Sequence, residues 1–62
     1  MPSIGIMLKQ CAGLVGTEDL NAWENLFVSD MLDKSNGGAV TATLTERQVT
    51  AVYNIWKKHF AG

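Results

Sequence analysis

One cysteine, one histidine and six carboxylates are the entire supply of catalytic groups in this chain of 62 residues. Acid–base or nucleophilic catalysis needs such groups to converge within hydrogen-bond reach. A Cys11–His59 pair would require the two ends of the chain to meet, and Cys11 falls on an apolar stripe where a thiol is usually buried and inert. Glu18, Asp19 and Glu24 lack the oxygen-ligand spacing of a calcium loop, and a single cysteine excludes a cysteine-rich zinc site. Ser35-Asn36-Gly37-Gly38 has glycines but neither a preceding strand nor a following GK[ST], so it does not read as a phosphate-cradling loop. The pattern therefore calls for no catalytic residue, no cofactor and no metal, and a non-enzymatic role is expected.

Two sets of residues remain that could recognise a macromolecule. Arg47, Lys57, Lys58 and His59 are the candidate nucleic-acid contacts, one at the start and three at the end of the last apolar-periodic segment. At about 1.5 Å per helical residue, Arg47 stands more than a dozen ångströms from Lys57, so these groups do not form one compact patch. The net charge of −1 also argues against binding driven mainly by counterion release, and favours an ordinary solvated face. Trp23, Tyr53 and Trp56 are the candidate partner anchors, because large aromatics in so small a domain are rarely covered on all sides. Both tryptophans nevertheless fall on faces whose other members are aliphatic, and core packing is the stronger expectation for them.

These residues are positioned by three expected helices. Ile4, Met7, Leu8, Cys11, Leu14 and Val15 recur at spacings of three and four, which predicts a first helix within residues 3–15, stopped at Gly16. Thr17 is the expected N-cap of a second helix, with Glu18 and Asp19 in its first turn and Leu20, Trp23, Phe27 and Met31 on its apolar face, running to about Lys34. The glycine pair after Asn36 ends it, and Ala39–Thr43, without a second strand to pair with, reads as loop. Leu44-Thr45-Glu46-Arg47-Gln48-Val49 then spells a complete helix start: Thr45 and Gln48 can form a capping box and Leu44 with Val49 the hydrophobic staple. The last helix is expected to bury Val49, Val52, Tyr53, Trp56 and Phe60.

The fold class that follows is all-α, a small three-helix bundle in a single domain over residues 1–62, with an aromatic core of Trp23, Phe27, Tyr53, Trp56 and Phe60 between the second and third helices. A chain of this size buries only about 60% of the surface its unfolded form exposes, so a partner or self-association would help it. The lone cysteine fits a reducing, cytoplasmic setting, and no apolar run approaches membrane-spanning length.

Trp23-Glu24-x-x-Phe27-Val28 and Leu44-Thr45-x-x-Gln48 followed by Ile55 resemble a short two-helix segment of small bacteriophage and mobile-element proteins and of the ends of bacterial DNA-processing proteins. The resemblance spans Leu20 to His59. It implies a phage or prophage origin, action in the host cytoplasm and an accessory task near replication, recombination or host takeover, and it carries no catalytic residue across. A protein partner is the favoured expectation, a direct nucleic-acid binder using the third helix is the rival, and a self-associating module is the third class.

Overall fold

The computed structural model describes residues 2–61. Three helices, α1 (Ile4–Ala12), α2 (Ala22–Lys34) and α3 (Glu46–Trp56), are followed by a π-helical turn, Lys57–Ala61, within an envelope of 29 × 23 × 18 Å. The expected small all-α three-helix bundle is the observed one, and Ala39–Thr43 is loop.

The packing centre is α1 rather than the α2–α3 seam. Its buried face of Met7, Leu8 and Cys11 packs against both other helices, which touch each other least. Met7 and Leu8 meet Met31 and Val52 at one end of the core, and Cys11 meets Leu20, Val28 and Ile55 at the other; Phe27, Leu32 and Trp56 pack against both groups. At about 25 cal/mol per Å² of apolar area removed from water, each of these aliphatic side chains contributes roughly 1.5–3 kcal/mol. The expected aromatic core is thereby corrected. Trp23 and Phe60 are 60% and 44% exposed, while Phe27, Tyr53 and Trp56 are half-buried against an aliphatic centre.

Two phase errors explain the difference. On α2 the buried positions are Glu24, Val28 and Met31, continued by Ser35: Met31 is inside as expected, but the inward face turns toward Glu24 and Val28, which leaves Phe27 half-buried and Trp23 outside. Glu24 and Ser35 can go inside because their polar atoms are satisfied: Ser35 Oγ donates to Met31 O (2.6 Å) and accepts from Gly38 N–H (3.0 Å). After Trp56 the wider π turn breaks the i, i+4 relation that would have stacked Phe60 behind Trp56.

The start of α2 also differs from expectation. Thr17 closes a turn, its hydroxyl donating to Leu14 O (2.6 Å) and accepting from Asp19 N–H (3.2 Å), so it is not available as a helix cap. Leu20 is drawn into the core, and Asn21 caps the helix instead, in a capping box with Glu24. The Asn25 side chain ties the connection down by accepting from Gly16 N–H (2.8 Å) and donating to Leu20 O (3.0 Å). The Thr45–Gln48 capping box forms as the sequence predicts, with Gln48 N–H to Thr45 Oγ1 at 3.2 Å and Thr45 N–H to Gln48 Oε1 at 2.9 Å.

The bundle is closed by a contact between backbones. Gly38, at φ +96°, lies against Gly5 in the first turn of α1, and a Cβ built on Gly38 would fall 2.8 Å from Gly5 O. A Cβ on Gly5 would meet Gly38 O at still closer range, a collision with backbone that no rotamer change relieves. Alanine is otherwise favoured over glycine inside a helix by about 1 kcal/mol. Gly5→Ala is therefore expected to destabilise by about 1–3 kcal/mol through overpacking, whereas Gly13→Ala, with Gln10 O at 3.4 Å as its only neighbour, should be neutral or mildly stabilising. Thermal melts of the two variants check this, and equal effects would rule out the close backbone contact.

Candidate functional site

The basic residues of the chain end are distributed by the fold rather than gathered. Lys58 Nζ pairs with Glu24 Oε2 at 3.3 Å, linking the π-helical turn to the first turn of α2. Lys57 leans toward the Tyr53 ring, 6.0 Å from its centroid. His59 is half-buried, and its Nε2 has no hydrogen-bond partner among the described residues. Arg47 stands apart on the exposed side of the first turn of α3. Of the four candidate phosphate contacts, Arg47 and Lys57 thus present cations outside any ion pair among the described residues.

Glu24 holds this end together. Its Oε1 accepts from Asn21 N–H at 3.0 Å, and its own N–H bonds Asn21 Oδ1 at 2.8 Å. The Asn21 hydrogen bond holds the carboxyl below the usual carboxylate range against the opposing effect of burial, and Lys58 and then His59 add to the lowering. The Lys58 side chain is 59% exposed, so the ion pair itself is worth at most about 1 kcal/mol. Cys11 is fully buried, and burial followed by the Glu24 charge pushes its thiol up, which keeps it protonated and unreactive at neutral pH. Among the described residues no three His, Cys, Asp or Glu side chains gather as a metal site, and no helix is long and apolar enough to cross a membrane.

The aromatic residues form two arrangements. Trp23 lies flat on Phe27, with centroids 5.1 Å apart and an interplanar angle of 7°. Tyr53 and Trp56 tilt against each other at 6.3 Å and 32°, and the Trp56 indole N–H donates to Gln10 Oε1 of α1. Of the three candidate anchors, Trp23 is displayed, while Tyr53 and Trp56 are largely committed to holding α3 on α1. Leu26, 74% exposed, extends the Trp23 surface along α2, although its apolar side chain by itself reads as core. Its i+3 relation to Trp23 is visible in the sequence, but its exposure depends on the phase of α2, which the buried Glu24 sets.

Two shallow grooves open to solvent beside α3. One of about 390 Å³ is lined by Glu46, Arg47, Thr50, Ala51 and Asn54, and a second of about 250 Å³ by Trp23, Glu24, Ala51, Asn54, Ile55 and Lys58. Compared with known proteins, the chain matches no family, no curated protein and no solved structure.

Because the folded pKa of Glu24 lies below its unfolded value of about 4.3, this group stabilises the fold above that pH and the stabilisation is lost as pH falls through the folded pKa. Melting temperature should therefore drop on acidification below about pH 4–5. In Glu24→Gln the drop should be shallower, from a lower starting value at neutral pH; parallel acid profiles of parent and variant would show that Glu24 carries no such linkage.

Proposed function

We propose that this chain is a non-enzymatic accessory protein that acts by binding another protein through the exposed face of α2. The observation that carries the reading is Trp23, 60% exposed, stacked on Phe27, which is itself packed into the core, with Leu26 beside it at 74% exposure. An indole held in place by stacking loses little side-chain freedom when a partner covers it, so more of its buried area appears as affinity. Tryptophan is also among the residue types that most often dominate interface energetics. The grooves are open and shallow, which suits a macromolecular surface better than an enclosed small ligand.

The resemblance over Leu20 to His59 supplies the proposed context, an accessory task near DNA processing or host takeover in the cytoplasm of a phage-carrying cell. Direct phosphate binding is the weaker reading, since Lys58 is engaged by Glu24 and Lys57 leans on Tyr53.

Leu26→Ser should leave the thermal transition almost unchanged, because exposed positions away from caps and core usually stay within about 0.5 kcal/mol, and Trp23→Ala should cost only about 0.5–1.5 kcal/mol through loss of the stacking on Phe27, short of unfolding the domain. Both should weaken capture of a protein retained by the immobilised parent from lysate of the host cell by tenfold or more, a loss of about 1.4 kcal/mol at a single anchor. Capture unaffected by either change would overturn the α2 surface. Titration of labelled DNA at several salt concentrations tests the rival: binding by the parent whose log-log salt slope flattens by about 0.9 per lost contact in Arg47→Gln and Lys57→Gln would establish phosphate recognition instead.

A further inference from the structure

The exposed face of α2 is not only apolar. Trp23, Leu26, Asp30 and Asp33 recur at steps of three, four and three, the spacing of one seam along a helix packed on a second helix, and all four are exposed. From Trp23 to Asp33 the seam is about 15 Å long at 1.5 Å per residue. Its first half offers the indole and the Leu26 side chain, and its second half two carboxylates that belong to no ion pair among the described residues. Asp33 stands in the last turn of α2, where negative charge opposes the helix dipole, so the stability of the helix does not account for it. Glu18 and Asp19, also exposed, lie in the turn that leads into the helix.

The wider charge distribution has the same sign. Residues 17–34 carry five carboxylates and one lysine, a net −4, while the rest of the chain carries one carboxylate and four cations, a net +3. Two copies therefore repel each other when their α2 faces meet, and this side also repels a nucleic acid or an anionic lipid surface. Trp23 adds a preference for cations. Phe27 covers one face of the indole, with centroids 5.1 Å apart and the rings nearly parallel, and no cation of the chain lies over the other face, since the cation–ring contact among the described residues is that of Lys57 with Tyr53. Of the aromatic side chains, tryptophan offers the π face that binds a guanidinium or ammonium best.

We propose that the occupant of this seam is a basic amphipathic helix of another protein, with an arginine stacked on Trp23, an aliphatic side chain against Leu26, and lysines or arginines opposite Asp30 and Asp33. That chemistry rests on the α2 surface proposed above and adds the kind of partner that fills it. Arginine suits the first place, because its planar guanidinium stacks on an aromatic face and its N–H groups stay free at the edge for a carboxylate. The two aspartates then ask for further cations about two and three turns along the partner, so charge sets the register of the pair.

The probe is a displayed library of random peptides of about fifteen residues, long enough to span the seam as a helix, selected on the immobilised parent and compared with selection on the double variant Asp30→Asn with Asp33→Asn. Peptides enriched on the parent should combine lysine or arginine with aliphatic residues at helical spacing. Titrated into isotope-labelled protein, such a peptide should move the indole N–H resonance of Trp23, while that of Trp56, bonded to Gln10, stays in place. The double variant should bind it about threefold more weakly or worse at low salt, and the difference should fade as salt rises. Trp23→Leu, which keeps an apolar side chain but removes the π face, should weaken it to a similar extent. Thermal melts confirm that each variant is folded. Enrichment of uncharged or acidic peptides, no enrichment, or binding indifferent to the two Asp replacements overturns the basic partner. In that event, capture from lysate that is lost in Trp23→Ala leaves the α2 surface standing with a partner of other chemistry, and capture that survives Trp23→Ala overturns both. Resonances of the α2 face that move on dilution of the parent alone identify a second copy as the occupant, and they too overturn the proposal.

Discussion

Gly5 and Gly38 meet backbone to backbone, and the closure of the bundle depends on that contact. It seats the first turn of α1 directly on the loop that joins α2 to α3, and so allows α1 to lie against both helices at once. The loop reaches this position by a run of left-handed residues, Asn36, Gly37 and Gly38, anchored by the buried Ser35 hydroxyl and by Val40 N–H bonding Ser35 O at 2.8 Å. A chain this short has few apolar side chains to bury, and the close approach places Leu8 and Cys11, fully covered, at the middle of the molecule.

A second constraint is the carboxylate of Glu24. It completes the helix cap with Asn21 on one side and receives Lys58 on the other, so one side chain links the start of α2 to the chain end. Turning Glu24 inward turns Trp23 and Leu26 outward, since neighbours along a helix are separated by about 100°. The display of an apolar platform and the burial of a charged group are therefore two consequences of one rotation.

That rotation also shapes what the surface can do. Apolar area that a larger protein would bury stays outside, most of all at Trp23 and Leu26 of α2 and also at Ile6, Val40 and Phe60, while the groove of Glu46, Arg47, Thr50, Ala51 and Asn54 beside α3 is lined by small, polar and charged groups.

The amino-acid sequence by itself determined the class of fold, the number of helices and the capped start of α3, because periodicity, glycine breaks and capping boxes act over three or four residues and are complete within the local chain. It also held the Asn21-x-x-Glu24 box, which the earlier threonine and its acidic neighbours obscured. Only the tertiary structure decided which face of α2 points inward, since apolar pattern alone favours Trp23 over Glu24, and the preference reverses once the Lys58 ammonium from the chain end joins the local Asn21 cap in satisfying the carboxylate. The same holds for Phe60, turned out by the π turn, and for Lys58, whose partner lies 34 residues away. A buried polar group is stable only through the bonds it finds: those of Ser35, and of Glu24 with Asn21, lie within four residues, whereas the Lys58 bond crosses between elements that local sequence cannot relate.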